Sequence, residues 1–402
     1  MTSRRWAAVG LILAPLWALA AWKLGDTVVP ADLVLPDVDA SQAFGAQVVA
    51  DAESYAWMGW VTWAGAKAAQ LLMLALYVRF GIRFIRDSAA GPIGTGMLLG
   101  MLGLGLVWFT GIPFRVLQLW WDRRHDVSEM GYLEYILGDW LTLTGAFLSI
   151  SFALLVVMFL GRLLRDYWWL PGAAVFTGVV AAFSVSFPYL VPESEPLDDA
   201  ALIASADRFE RAQGLPDIPI RVEPVRDDTD DANAFATGFG PTRRIYLWDT
   251  LLDGRYTQAE EESVIAHELA HHSGDHLREG VYWFGLFALP GSYLLMLVTR
   301  RRGGISRPEA IPLALFVTVA FYFLLSPVQN GISRRMEQEA DWKALESTRD
   351  PDALRGVMEG FAEQGAGDPD PPALLSWFLD THPPLVDRVA MARAWAARRD
   401  TR

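Results

Sequence analysis

Seven stretches of the chain are almost purely apolar: Trp6 to Trp22, Tyr55 to Tyr77, Gly91 to Phe109, Trp140 to Gly161, Tyr167 to Tyr189, Val281 to Val298 and Ile311 to Val328. Each approaches the roughly 20 residues needed to cross a bilayer core, so the pattern predicts about seven transmembrane helices. Trp, Tyr and Arg cluster at the ends of these runs, where amphipathic rings and snorkelling cations suit the interface. The first run has a rival reading: Arg4, Arg5, an apolar stretch and Ala18-Leu19-Ala20 also resemble a cleaved signal peptide. The retained helix is the favoured reading.

Between positions 192 and 280 the pattern changes to that of a water-exposed segment. A helical stretch spans Asp198 to Gln213, and "IPIRVEPV" and "RRIYLWDTLL" alternate like strands. Between them "DDTDDANAFATGFG" reads as an acidic turn followed by a short strand. Two spans then form a hairpin over 281–329, joined by "RRRGGISRP", and 330–402 is largely helical with "DPDPP" as a loop. The chain thus divides into 1–191 with about five spans, 192–280, 281–329 and 330–402. A membrane hairpin goes out and comes back, so 330–402 lies on the same side as 192–280, and their polar residues can share one site.

Composition agrees with this layout: 52% of the 402 residues are hydrophobic, with 17 Trp. The formal net charge is -13, with nearly all of the acidic excess between Pro192 and Gly280. An acidic segment is a poor partner for nucleic acid. The chain has no cysteine, which removes disulfides, thiolate nucleophiles, thiolate ligands and S-acylation. Any metal must be held by His, Asp or Glu, which suits zinc or a harder divalent ion.

The candidate chemistry begins in HELAHHSGDH, His267 to His276, which holds four of the six histidines. On a helix, residues four apart differ by about 40° around the axis, so His267 and His271 can offer ring nitrogens to one ion. Glu268 sits about 100° away, placed to take a proton from a metal-activated water. His272 is off the ligand face. The longer pattern H-E-x-x-H-x-x-G-x-x-H fails, because Gly274 fits its glycine but position 277 is Leu and the histidine, His276, comes one residue early. The third ligand is therefore sought beyond the hairpin, in "SRRMEQEADWKA". There Glu337 and Asp341 share a helical face and Glu339 points away. Glu337 would complete a His-His-Glu set of the catalytic kind, with Asp341 orienting a ligand histidine. His382 stands before two prolines in "DTHPPLVDRV", and His125 reads as structural. Incidental histidines on a polar helix and a solvated acidic helix remain the bland alternatives.

H-E-L-x-H-x-x-x-x-H, followed after a hairpin by S-R-x-x-E-x-x-A-D and then T-H-P-P, resembles the integral-membrane zinc metallopeptidases that include CAAX prenyl protease 1 and the bacterial HtpX proteases. The likeness to the CAAX prenyl protease branch is wider, through "FPYLVPESEPLDD", "NAFATGFG" and "RIYLWDTLL". It implies a mainly α-helical polytopic membrane protein of about seven transmembrane helices, with a zincin-like metalloprotease domain carrying a small β-sheet. It further implies one Zn2+ per chain on His267, His271 and Glu337, and Glu268 as general base and acid. Asn233 and Ala234 would lie on an edge strand that pairs with an extended substrate, and His382 would donate to the substrate carbonyl or oxyanion. His276 would be a structural or substrate-side group. Two departures, His272-Ser273 and the run Glu337 to Asp341, lie close enough to alter substrate choice.

The expected partners are a peptide or protein substrate, lipidated or not, and membrane lipid, with no nucleic acid. The sequence is silent on oligomeric state. One rival is an HtpX-like quality-control protease for membrane proteins; another, from a different class, is a non-catalytic membrane sensor or lipid-binding protein. Two signals conflict over the side of the cell membrane that the site faces. Arg4, Arg5, Arg79, Arg83, Arg86, Arg162, Arg165, Arg300 to Arg302 and Arg307 flank the opposite ends of the spans, which favours an extracytoplasmic site. The resemblance implies a cytoplasmic one.

Overall fold

The computed structural model describes residues 3–84, 90–138, 140–191, 194–227, 229–364 and 367–400. Arg86 and the expected segment boundary at Pro192 lie outside them. In chain order the helices are α1 (Ser3–Leu24), α2 (Ala40–Phe44), α3 (Ala46–Phe80), α4 (Gly91–Arg124), α5 (Tyr132–Gly138), α6 (Trp140–Leu164) and α7 (Trp169–Ser186). Then come β1 (Glu195–Pro196), α8 (Ala200–Gln213), β2 (Ile220–Glu223), β3 (Ala234–Thr237), β4 (Arg244–Trp248) and α9 (Gln258–Ser273). The chain ends with α10 (His276–Thr299), α11 (Ile311–Thr348), α12 (Pro351–Glu363), α13 (Ala373–Leu379) and α14 (Leu385–Asp400).

Among the described residues, six helical segments are long and apolar enough to cross a membrane: Ala46–Phe80, Gly91–Arg124, Tyr132–Tyr167, Trp169–Tyr189, His276–Arg302 and Pro308–Thr348. Gly10–Leu24 is a shorter apolar helix, so the expectation of about seven membrane helices agrees with the architecture. The hairpin's second helix does not stop at the membrane. α11 runs unbroken for 38 residues, about 57 Å at 1.5 Å per residue, nearly twice the thickness of a hydrocarbon core. Pro327 lies inside it, and the turns beyond carry Glu337 and Asp341.

The chain forms two compact units. One comprises Tyr55–Thr177 and Phe287–Leu325 and consists of membrane helices. The other comprises Met1–Ser54, Gly178–Leu286 and Ser326–Arg402; it holds the sheet, α8, α9 and α12 to α14. Its four strands lie in the order β1-β2-β4-β3. β2 and β4 are parallel, whereas β1 and β3 run antiparallel to their neighbours. β1 was not legible because two residues carry no periodicity. β4 is central, so its Ile245, Tyr246 and Leu247 are buried. Ile245 and Leu247 pack with Ile265 and Leu269 of α9 and Val389 and Met391 of α14 in one core. Each such side chain contributes roughly 1.5–3 kcal/mol by leaving water.

Candidate metal centre

α9 starts at a capping box: Thr257 Oγ1 accepts the N–H of Glu260, and the Glu260 carboxylate accepts the N–H of Thr257. Satisfying orphan donors at both ends of one turn fixes the helix start and hence the phase of every later side chain. Residues Ser263 to Ala270 are buried, so the H-E-x-x-H segment is a core helix and not a solvated polar face. That disposes of the first bland reading. Glu337, the candidate third ligand, is also buried, which disposes of the second.

His267, His271 and Glu337 converge, with one ligand atom from each lying within 4.8 Å of the others. His267 Nε2 is 3.2 Å from Glu337 Oε2, and His271 Nε2 is 3.6 Å from Glu337 Oε1. The two Nε2 atoms are 3.2 Å apart. Each ring is held from behind through Nδ1: His267 by Asp341 Oδ1 at 2.8 Å, His271 by His276 Nδ1 at 3.0 Å. Holding the protons on Nδ1 leaves the Nε2 lone pairs facing one point. Burial lowers His271 to about 3, so its ring is neutral. Burial also opposes charge on His267, yet Asp341 and Glu337 outweigh it and raise that ring to about 10. Carboxylates that favour a proton there would favour a divalent cation in its place. Glu337 Oε2 is buried without a hydrogen-bond donor, a cost that a bound cation removes. The residues fit a metal ion.

Asp341 is fully buried, and Arg388 of α14 grips it with two hydrogen bonds, Nε to Oδ2 at 2.8 Å and Nη2 to Oδ1 at 2.6 Å. Arg388 is the residue that sequence reading missed. The available signal was its phase: in α14 it follows Leu385 by three and precedes Ala392 by four, on the apolar face. An arginine on a buried face requires a carboxylate partner.

Of the two placements expected for His276, structural or substrate-side, the geometry puts its ring inside the fold: it is only 4% exposed and backs His271. The reason lies in the turn. α9 ends at Ser273, Asp275 takes φ 54°, and α10 begins at His276. This tight corner folds the imidazole back under His271, and a Cβ on Gly274 would stand 2.3 Å from His276 Nε2. Glu339, on the other side of α11 from Glu337 and Asp341, faces that same nitrogen at 3.7 Å and pairs with Lys343 at 3.3 Å. His272 leaves the site altogether: its buried ring meets the Arg244 carbonyl of β4 at 3.1 Å.

Glu268 is 7% exposed and accepts the backbone N–H of Ala236 in β3. Burial raises its carboxyl to about 7. β3 is an edge strand. Trp248 N–H donates to the Asn233 carbonyl, so Phe235 and Thr237 turn their peptide groups to β4, while Ala234 and Ala236 turn theirs to the open edge. Asn233 immediately precedes the strand, and its Oδ1 accepts the Ala234 N–H. His382, 62% exposed, brings Nε2 to 3.5 Å from Glu337 Oε2.

Residues 196–396 match Peptidase family M48. The chain belongs to this family. It is a membrane metalloprotease of the CAAX prenyl protease and HtpX kind. A protease HtpX homolog of Acidiphilium cryptum is 31% identical over 230 residues, 50% of this chain and 77% of that protein. A CAAX prenyl protease 1 homolog of Arabidopsis thaliana is 26% identical over 280 residues, 68% of this chain and 64% of that protein. Across eight curated relatives the matched part runs from 42% to 87% of their own lengths. The crystal structure of S. mikatae Ste24p superposes with a TM-score of 0.65 at 16% identity, covering 97% of this chain and 99% of that one. The architecture is therefore Ste24p-like.

Proposed function

We propose that the chain is a zinc metalloendopeptidase that cleaves peptides bound in extended form, with zinc held by His267, His271 and Glu337. The carrying observation is that a buried and a half-buried imidazole, each anchored through Nδ1, and one buried carboxylate aim at a single point. Zinc bound there supplies Lewis acidity, which acidifies water and polarises a carbonyl. The remaining work belongs to the chain. Glu268 takes the proton of the attacking water and passes it to the leaving amine; a carboxyl raised to about 7 is matched to both transfers. Ala234 and Ala236 offer their edge carbonyls for backbone pairing with substrate, their N–H groups being taken by Asn233 Oδ1 and Glu268, and such pairing sets register with little demand on sequence. Asn233 orders the start of that edge. His382 donates to the substrate carbonyl oxygen as negative charge develops on it. Asp341 and His276 orient the two ligand rings.

Replacing Glu268 by Gln leaves the ligands in place, so the variant retains zinc and loses about 10² to 10⁴-fold in peptide cleavage. Full activity in that variant refutes the assignment. The natural substrate we favour is a peptide or protein at the membrane, in the manner of the CAAX prenyl protease branch. Quenched peptides with and without a prenyl group separate that reading from HtpX-like cleavage of unmodified segments. The arginine-rich loops support an extracytoplasmic site, and a reporter fused after Arg402 tests that side.

A further inference from the structure

The unit of membrane helices contains a cavity of about 540 Å³ at the ends of its helices. The end of α6 and the turn Arg165–Tyr167 wall one side, and the loop from Arg300 to Arg307 walls the other. Arg162, Arg165, Arg300 and Arg307 line it, against a single carboxylate, Asp166. That carboxylate is already engaged, with Oδ2 3.0 Å from Arg300 Nε. Arg162, Arg165 and Arg307 are exposed, and among the described residues none has a carboxylate within ion-pair distance. In a chain of net charge -13 this is a concentrated positive pocket. Clustered guanidinium groups repel one another unless an anion lies between them.

The pocket is built, not a chance meeting of surface side chains. Trp168, Met296 and Ile305 form a buried apolar floor. Gly161 permits this closure, since a Cβ there would lie 2.5 Å from Ile305 Cγ2. Gly303 and Gly304 both take positive φ, 86° and 88°, which shapes the loop so that it turns back to Arg307. Guanidinium groups recognise phosphate oxygens in planar, bidentate fashion. A second observation distinguishes the source of the phosphate. On α6, Leu148, Phe152, Leu155, Phe159 and Leu163 recur at spacings of three and four and are all exposed. They form an apolar stripe that leads along the helix to Arg162, the path an acyl chain takes from a headgroup held in the pocket.

We propose that this cavity is a binding site for a phosphate group, that of an anionic phospholipid, with its oxygens on Arg162, Arg165 and Arg307 and its acyl chain along the α6 stripe. Free phosphate has the same oxygens but no use for the stripe. The full-length protein is reconstituted in phosphatidylcholine nanodiscs containing phosphatidylglycerol, and the retained lipid is measured by native mass spectrometry. The wild type retains phosphatidylglycerol in preference to phosphatidylcholine. The variant Arg162→Gln/Arg165→Gln/Arg307→Gln loses about 100-fold in that preference, roughly fivefold per guanidinium. Lysines at the three positions restore part of it, since they keep the charge and lose the bidentate geometry. Unchanged peptidase activity in neutral nanodiscs reports that the variants are folded, and the three single variants, each expected to lose roughly fivefold, serve if the triple does not fold. Equal retention of the two lipids by the wild type, or an undiminished preference in the variants, overturns the proposal. Displacement of the lipid by millimolar inorganic phosphate assigns the pocket to free phosphate and equally overturns it.

Discussion

The two candidate ligand histidines, His267 and His271, sit four residues apart on one helix, yet they are supported in opposite ways. Behind His267 stands a charge directly: Asp341, fully buried, locked by two hydrogen bonds from Arg388. Behind His271 stands another imidazole, His276, with the carboxylate of Glu339 one step further away and paired with Lys343. The first support is an ion pair without access to water, whose attraction offsets its desolvation only while both partners are present. The second is a relay through an intervening ring. For His271 Nε2 to face a metal, its Nδ1 must carry the proton, so His276 accepts through Nδ1 and holds its own proton on Nε2, towards Glu339. The difference shows that one helical motif can be rigid on one ligand through electrostatics and on the other through packing.

Four measurements test this contrast, and the largest effect is expected from Arg388→Leu. It leaves the buried Asp341 without its guanidinium partner and with only the His267 ring against it, at a cost of about 3–5 kcal/mol in stability. Thermal unfolding should show this, whereas Lys343→Ala, which removes a partly exposed pair, costs at most about 1 kcal/mol. Similar losses for the two would erase the distinction. Next, Asp341→Asn removes the charge behind His267, and zinc affinity measured by chelator competition falls about 10 to 100-fold. His276→Phe keeps the ring volume and deletes the acceptor of His271; its loss is about tenfold, at the lower end of the same range. A larger loss for His276→Phe than for Asp341→Asn would reverse the ranking of the two supports. The smallest effect belongs to Gly274→Ala, whose added methyl pushes on the His276 ring. Zinc affinity then drops severalfold at most, with the zinc-loaded His276→Phe variant insensitive to the same change.

Much of the membrane part was legible because a span is written locally: apolar length alone predicts it. The same holds for the strand-like alternation that became β2 and β4, and for the placement of His267, His271 and Glu268, which needs only the helical period. The search for a third ligand could reach Glu337 because a hairpin must return to its starting side. Arg388 could not be reached that way. Its partner lies 47 residues earlier in the chain, and only the docking of α14 against α11 brings them together. The packing of His276 was not legible for a related reason: its sequence offset sets it apart from His267 and His271 but does not show that the corner at Asp275 folds its ring beneath His271.

By itself the sequence determined the membrane helices, the two histidines and the glutamate of the core motif, and the chemistry open to a chain without cysteine. These follow from periodicity, length and side-chain type, which are properties of short segments. Tertiary structure decided what orients the ligands, which edge of the sheet stays open beside Glu268, and where four arginines gather around a cavity. Those depend on contacts between residues far apart in the chain, whose selection rests on burial and on finding a partner for every buried charge.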